Sequence, residues 1–218
     1  MDYSYLGRNA DRVRSAIADA ARAAGRSPDE ITLLAATKYA GADEINYLHR
    51  SCGIHDIGEN RVQSLIEKWD ALDREGLRIH FIGSLQTNKV KYIADKVCMI
   101  HSLDSDRVID VLVEINSGRE ESKGGVLPED AGELAMSLSA YPNICLRGFM
   151  TMAPAGLDYE EQRKYFGETY DLIVDIWHRK LHNIKRPIIS MGMSDSFAAA
   201  IAEGAGCVRI GRALFERG

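Results

Sequence analysis

Short apolar runs and amphipathic stretches alternate along this chain about eight times, and that alternation restricts the fold more than any other feature. The runs Ile31–Ala36, Ile54–Ile57, Arg78–Ile82, Val97–His101, Val111–Ile115, Ile144–Met150, Pro187–Ser190 and Val208–Ile210 are too short for helices. Most of them end in polar or glycine residues, and a short run bounded in this way reads as a strand buried on both faces. Between them lie stretches that read as helices: Asp43–Cys52, Arg61 to about Leu72, Thr87–Asp95, Pro128–Ala140, about Tyr159–Leu181, and Ser194–Glu203 with Ser194 as N-cap. Alternating strand and helix means parallel strands joined by helical crossovers. Eight repeats predict an α/β fold, a single closed (β/α)8 TIM-type barrel rather than an open doubly wound sheet. Ahead of it, Ala10–Ala24 places Val13, Ile17, Ala20, Ala21 and Ala24 at helical spacing and ends at Gly25, which predicts an extra N-terminal helix. No Gly-, Ser- or Pro-rich linker divides the chain, so residues 1–218 are expected to form one domain.

One interval breaks the pattern. Between Asp104 and Val111 there is only Ser-Asp-Arg-Val-Ile-Asp, whereas a parallel crossover takes about a dozen residues or more. Either a barrel helix is absent here, or residues of the natural protein are missing between about Arg107 and Asp110. The second is the expectation.

Composition excludes several classes of function. A formal net charge of −5 supplies no basic field for nucleic acid or an anionic membrane. No apolar run approaches the roughly 20 residues of a membrane span, and the first residues lack the apolar core of a secretion signal. The four cysteines, Cys52, Cys98, Cys145 and Cys207, form no CxxC pair and read as reduced thiols of a cytoplasmic protein. His178 and His182 lie four residues apart on a helix with no third ligand nearby, so no metal site is expected. Glu120-Glu121-Ser122-Lys123-Gly124-Gly125 lacks the spacing of a nucleotide-binding loop and reads as a loop over the barrel mouth.

Polar residues gather where the strands end: Lys38, Asn60, Ser84, Asn116, Thr151, Ser190, Ser194 and Arg212. In a closed barrel those ends converge on one mouth, the face where barrel enzymes keep their sites. Lys38 follows the first strand. It reads either as an ordinary surface lysine or as an amine whose partial desolvation favours the neutral, nucleophilic form. Ser190-Met191-Gly192-Met193-Ser194-Asp195 follows the seventh strand and Gly211-Arg212 the eighth. Loops in those two places commonly cup a phosphate with backbone N–H groups, although Ser194 could simply cap a helix and Gly211 simply turn the chain. Arg209, between Val208 and Ile210, points either into the barrel or toward a helix layer, and a buried arginine must be partnered. An amine, a phosphate cup and a strand arginine around one mouth suit a phosphorylated aldehyde held as a Schiff base, and pyridoxal 5′-phosphate (PLP) fits best.

The segments ATKYA, IGENRVQ, HFIGSLQTNKVK, IHSLDS, INSGREESKGG, RGFMTM, SMGMSDSFAAAIAEGAGCVRIG and the closing ALF resemble the pyridoxal phosphate homeostasis protein family. The resemblance runs from about Leu33 to Phe215, and the family is related to the N-terminal barrel of alanine racemase. It implies that Lys38 forms the Schiff base and that Arg209 faces the pyridine nitrogen. It further implies that Ser190, Gly192, Ser194, Gly211 and Arg212 surround the phosphate and that Asn60 lies beside the cofactor. Many relatives have Thr or Ser where this chain has Arg212, so the phosphate contact there is either a charged side chain or backbone alone. The family also carries a helix between IHSLDS and the INSG strand.

Three functions compete. A carrier would hold, buffer or deliver PLP to apo-enzymes, meeting amino acids on the way and acting as a monomer without robust turnover. A racemase needs a second acid/base opposite the lysine, which in alanine racemases is a tyrosine from a second domain. Tyr39 is adjacent to Lys38 and is expected to point away from the mouth. A Schiff-base aldolase would place its lysine on a central or later strand. An arginine at the ring nitrogen leaves that nitrogen unprotonated and disfavours carbanion chemistry, so the carrier reading leads over the racemase alternative.

Overall fold

Eight parallel strands close on one another in sequence order, β1-β2-β3-β4-β5-β6-β7-β8, with β8 returning to pair with β1. They are β1 (Thr32–Ala36), β2 (Asp56–Glu59), β3 (Arg78–Phe81), β4 (Met99–Ile100), β5 (Ile109–Ile115), β6 (Ile144–Thr151), β7 (Ile188–Ser190) and β8 (Cys207–Ile210). A computed structural model describes residues 2–83, 89, 92–100, 109–120, 123–141, 144–178 and 186–217. The predicted (β/α)8 barrel is therefore the observed architecture. Helices α2 (Ala42–Cys52), α3 (Val62–Lys68), α4 (Ala131–Ser139), α5 (Tyr159–His178) and α6 (Phe197–Ala202) lie between strands, and α7 (Arg212–Phe215) follows the last.

The extra helix, α1 (Ser4–Ala23), starts six residues before its expected position. Leu6 continues the stripe Ala10, Val13, Ile17 and Ala21, and all five are buried, so the amphipathic face and the helix begin together. Gly25 ends it in the left-handed conformation, and the Arg26 N–H reaches back to the Ala21 carbonyl at 2.9 Å. The Asn9 amide donates to the carbonyls of Leu214 and Glu216, both at 2.9 Å, which ties α1 to the end of the chain.

Two boundaries differ in ways that matter for the site. β2 lies two residues beyond the expected Ile54–Ile57, because Gly58 and Glu59 pair with His80 and Phe81 of β3. Gly58 faces the barrel interior, where an added Cβ would sit 2.5 Å from Leu34 Cδ2 and 2.7 Å from Ile82 Cδ1. Helix α6 starts at Phe197 rather than Ser194, and Ser196 Oγ accepts the Met193 N–H at 3.1 Å.

Residues 87, 88, 90 and 91 of the expected helix Thr87–Asp95, the expected end of α5 at Leu181, and the partner histidine His182 lie outside the described residues. So does the whole segment between β4 and β5, residues 101–108, where most of the missing-residue question falls. Met99, Leu112 and Met150, with Met152 and Ile188 against them, form an apolar layer inside the barrel. The larger core lies between strands and helices. Among the described residues no helix is long and apolar enough to cross a membrane, and no group of three or more His, Cys, Asp or Glu residues could hold a metal ion.

Candidate cofactor site

Arg209 settles its orientation by its hydrogen bonds. In β8 it pairs with Leu34 of β1, and its guanidinium enters the barrel, 5 % exposed. One terminal nitrogen donates to Ser190 O at 2.9 Å and Ser190 Oγ at 2.7 Å, and the other to Thr151 O at 2.9 Å. The side chain thus spans from β8 past β7 to the carboxyl end of β6. A buried charge needs this satisfaction, since an uncompensated one would cost several kcal/mol or more. Ser190 is fully buried and its hydroxyl is used in holding Arg209. Burial raises the Glu114 carboxyl above its ordinary range, and the nearby Arg209 charge opposes that rise.

Above Arg209 the loops after β7 and β8 are joined. Ser194 Oγ accepts the Ala213 N–H at 3.3 Å, and the Arg212 guanidinium pairs with the Asp195 carboxylate. Both members of that pair are well exposed, so the Arg212 side chain is turned outward and its backbone lines the rim. Gly192 takes φ +94°, a conformation strained for L side chains, and an added Cβ would lie 2.7 Å from Ala200 Cβ and 2.9 Å from Phe197 Cα. Its carbonyl accepts the Arg209 N–H at 3.1 Å. On the other side an added Cβ on Gly211 would meet Ala36 Cβ and O at 3.4 Å. The β8 rim therefore packs directly on the strand that ends two residues before Lys38.

Lys38 lies in the turn after β1 and is exposed, with Nζ 4.8 Å from the centroid of the Tyr39 ring. Of its two readings, the exposure matches the ordinary surface lysine, and the partial desolvation that the other called for is not seen in this structure. Tyr39 is 85 % exposed and lies beside Lys38, which lowers its phenol below the ordinary value through hydrogen bonding and charge. The turn itself is clamped from behind. Thr37 is fully buried; its hydroxyl hydrogen bonds with Glu59 Oε1 at 2.6 Å and Gly58 O at 3.2 Å. Lys68 of α3 donates to the same Glu59 oxygen at 2.8 Å and to Thr37 O at 3.2 Å. Asn60, partly buried, follows Glu59 on the rim.

Lys38, Asn60, Gly192, Ser194, Gly211 and Arg212 thus sit on one rim, with Arg209 and Ser190 beneath it. Ser84 lies outside the described residues. Reading the sequence missed Glu59, Lys68 and Glu114. Glu59 was hidden because Gly58 looked like the end of a strand that continues through it. The signal that could have found it is the buried position of a carboxylate directly before Asn60.

Eight parallel strands closed in sequence order, with the loops after β7 and β8 joined above a buried arginine, match the barrel found at the N-terminal end of alanine racemases. The family model described as the alanine racemase N-terminal domain matches residues 41–216. Alanine racemase from Corynebacterium glutamicum shares the fold, with a TM-score of 0.67 at 14% identity, and this chain covers 62% of it. A pyridoxal phosphate homeostasis protein from Aquifex aeolicus is 41% identical over 218 residues, 94% of each chain, and this chain belongs to that family. The protein of the same name from Pseudomonas aeruginosa is 35% identical, covering 97% of this chain and 95% of its own. That match runs over 226 positions, more than the 218 residues present here, so the relative has residues inside the matched span with no counterpart in this chain. PipY from Synechococcus elongatus, in a structure with PLP bound, matches with a TM-score of 0.77 at 28% identity, covering 92% of this chain and all of PipY.

Proposed function

We propose that this protein binds PLP through Lys38 and serves PLP homeostasis, holding the cofactor and delivering it to apo-enzymes. The observation that carries the reading is the close approach of Gly211 to Ala36, where an added Cβ would meet Ala36 at 3.4 Å, which sets the loop after β8 beside the strand that leads into Lys38. The residues fit the group. Gly192, at φ +94° and pressed against α6, holds the loop after β7 in a course that an L side chain would disturb, Ser194 fixes that loop to the start of α7, and Arg209 offers a donor at the floor. When bound, PLP supplies an aldehyde that condenses with an amine and a ring that can accept electrons.

Each side chain then has a separate task. Lys38 Nζ supplies the amine, free to swing because it is exposed. The backbone of Gly192, Ser194, Gly211 and Arg212 holds the phosphate, while Asn60 borders the ring. Arg209, fixed by Ser190 and Thr151, presents N–H groups and no acceptor, so a ring nitrogen facing it carries no proton. That arrangement weakens carbanion stabilisation and favours storage over racemisation. The relatives named as homeostasis proteins agree with a role other than rapid turnover. Amino acids can compete with Lys38 for the aldehyde, and the open position of that lysine suits exchange. The four free cysteines suit a reducing compartment, and we place the protein in the cytoplasm as a monomer.

The test pairs two assays on the PLP-loaded protein: transfer of PLP to an apo-enzyme, and chiral analysis of amino acids after incubation. Transfer with negligible racemisation is expected. Turnover in the common enzyme range of about 1–10³ s⁻¹ would overturn the carrier reading, and absence of transfer would overturn delivery.

A further inference from the structure

The face opposite the Lys38 rim holds a second cluster of reactive side chains. A cavity of about 1060 Å³ opens at the amino-terminal ends of the strands, and Asp56, Arg78, His80, Cys98 and Asp110 are among the residues lining it. His80 Nε2 lies 3.1 Å from Asp56 Oδ1, and the Arg78 guanidinium grips the same carboxylate, with Nε 2.6 Å from Oδ1. His80 is largely sheltered, with 12% of its side chain exposed. Cys98 precedes β4, where Met99 pairs with His80, and its backbone N–H is bonded to Ile79 O at 2.8 Å, so Cys98 and His80 are neighbours lining one cavity. It is an exposed free thiol, whereas Cys52 and Cys145 are half-buried and Cys207 is buried. Asp110, across the cavity, is taken up by Arg147 at 3.2 Å.

We propose that Cys98 is an oxidation-sensitive thiol that reacts with small hydroperoxides, with His80 as its cationic partner and Asp56 as the group that holds His80 in place. Burial alone would favour neutral His80, but the hydrogen bond to Asp56 and the neighbouring Cys98 sulfur outweigh it and raise the ring to about 9. A cation beside sulfur stabilises the negative charge that develops there as it attacks. In the reaction the sulfur attacks the terminal peroxide oxygen, the S–O bond forms and the O–O bond breaks. His80 gives its proton to the departing oxygen and recovers the one the thiol released. Sulfur is oxidised by two electrons and the hydroperoxide reduced by two, leaving Cys98 as a sulfenic acid and an alcohol or water. The cavity admits small peroxides, and the site is independent of the PLP reading, since it lies on the other end of the barrel.

The experiment treats the purified full-length protein with hydrogen peroxide at pH 7, traps sulfenic acid with dimedone and maps the label by peptide mass spectrometry. Iodoacetamide alkylation rates are measured on the same peptides. Cys98 is expected to react at least about tenfold faster than Cys52 or Cys145 with both reagents. His80→Gln is expected to remove most of that advantage while leaving the Cys52 rate unchanged, and Asp56→Asn to remove part of it. The wild-type selectivity needs no variant, so a poorly folding substitution leaves the proposal open to refutation. Equal labelling of the cysteines, or labelling of Cys98 that is indifferent to His80 in a folded variant, would overturn it.

Discussion

Thr37, Glu59 and Lys68 hold the turn that presents Lys38, and they do so with a carboxylate that is 1 % exposed. Glu59→Gln keeps the shape but removes the charge facing Lys68. It is expected to cost about 1–3 kcal/mol of stability and to weaken PLP binding, read from thermal melts and a PLP titration. An unchanged melt would show that the clamp contributes nothing. Asp56 and His80 predict a pH dependence whose sign follows from their shifts. Burial opposes ionisation of Asp56, but His80 and Arg78 outweigh it and lower the carboxyl from 3.8 to about 2. Its contribution is therefore full above 3.8 and lost as pH falls through 2. The raised His80 contributes fully below 6.5, its ordinary value, and loses that contribution as pH climbs through about 9. Wild-type stability is expected to fall between pH 6.5 and 9, with that portion of the fall absent in His80→Gln. Parallel melting curves for the two proteins across that range would contradict this. Arg209 was legible as a single residue, because a charge within a strand is an exception to its surroundings, whereas Lys38 at a strand end looked like an ordinary surface lysine until the family resemblance singled it out. The buried contacts among Thr37, Glu59 and Lys68 behind it were not legible, since they join three separate elements.

At the level of elements, the strands were legible from their apolar runs and the ends of β2 and α6 were not. Gly58 and Glu59 look like a turn in isolation; only the two neighbouring strands, each needing a parallel partner, draw them into the sheet. Ser194 looks like a helix cap because serine often is one, yet its hydroxyl serves the Ala213 N–H of another loop. Gly192 makes the rim sensitive to a single methyl group. Gly192→Ala is expected to cost about 1–3 kcal/mol, because it adds a strained φ and a 2.7 Å contact, and to lower affinity for PLP more than for pyridoxal, which lacks the phosphate. Equal losses for the two ligands would detach Gly192 from phosphate binding.

Across the whole molecule, the count of strand–helix repeats was enough to predict closure, since eight parallel strands with crossovers form a barrel. Closure in turn places the ends of β1, β7 and β8 together, although they are far apart in sequence, and it places Asp56, His80 and Cys98 together on the opposite face. The first grouping could be anticipated because its residues follow the strands. The second could not, because its residues lie within or before strands and look like ordinary barrel lining. The central claim is that Lys38 is the amine that captures PLP. The most direct measurement is to incubate the protein with PLP, reduce it with borohydride and map the modified peptide. The expected result is a single pyridoxyl group on Lys38, with yellow colour before reduction and neither label nor colour in a folded Lys38→Ala variant. A label on another lysine, or none at all, would contradict the account.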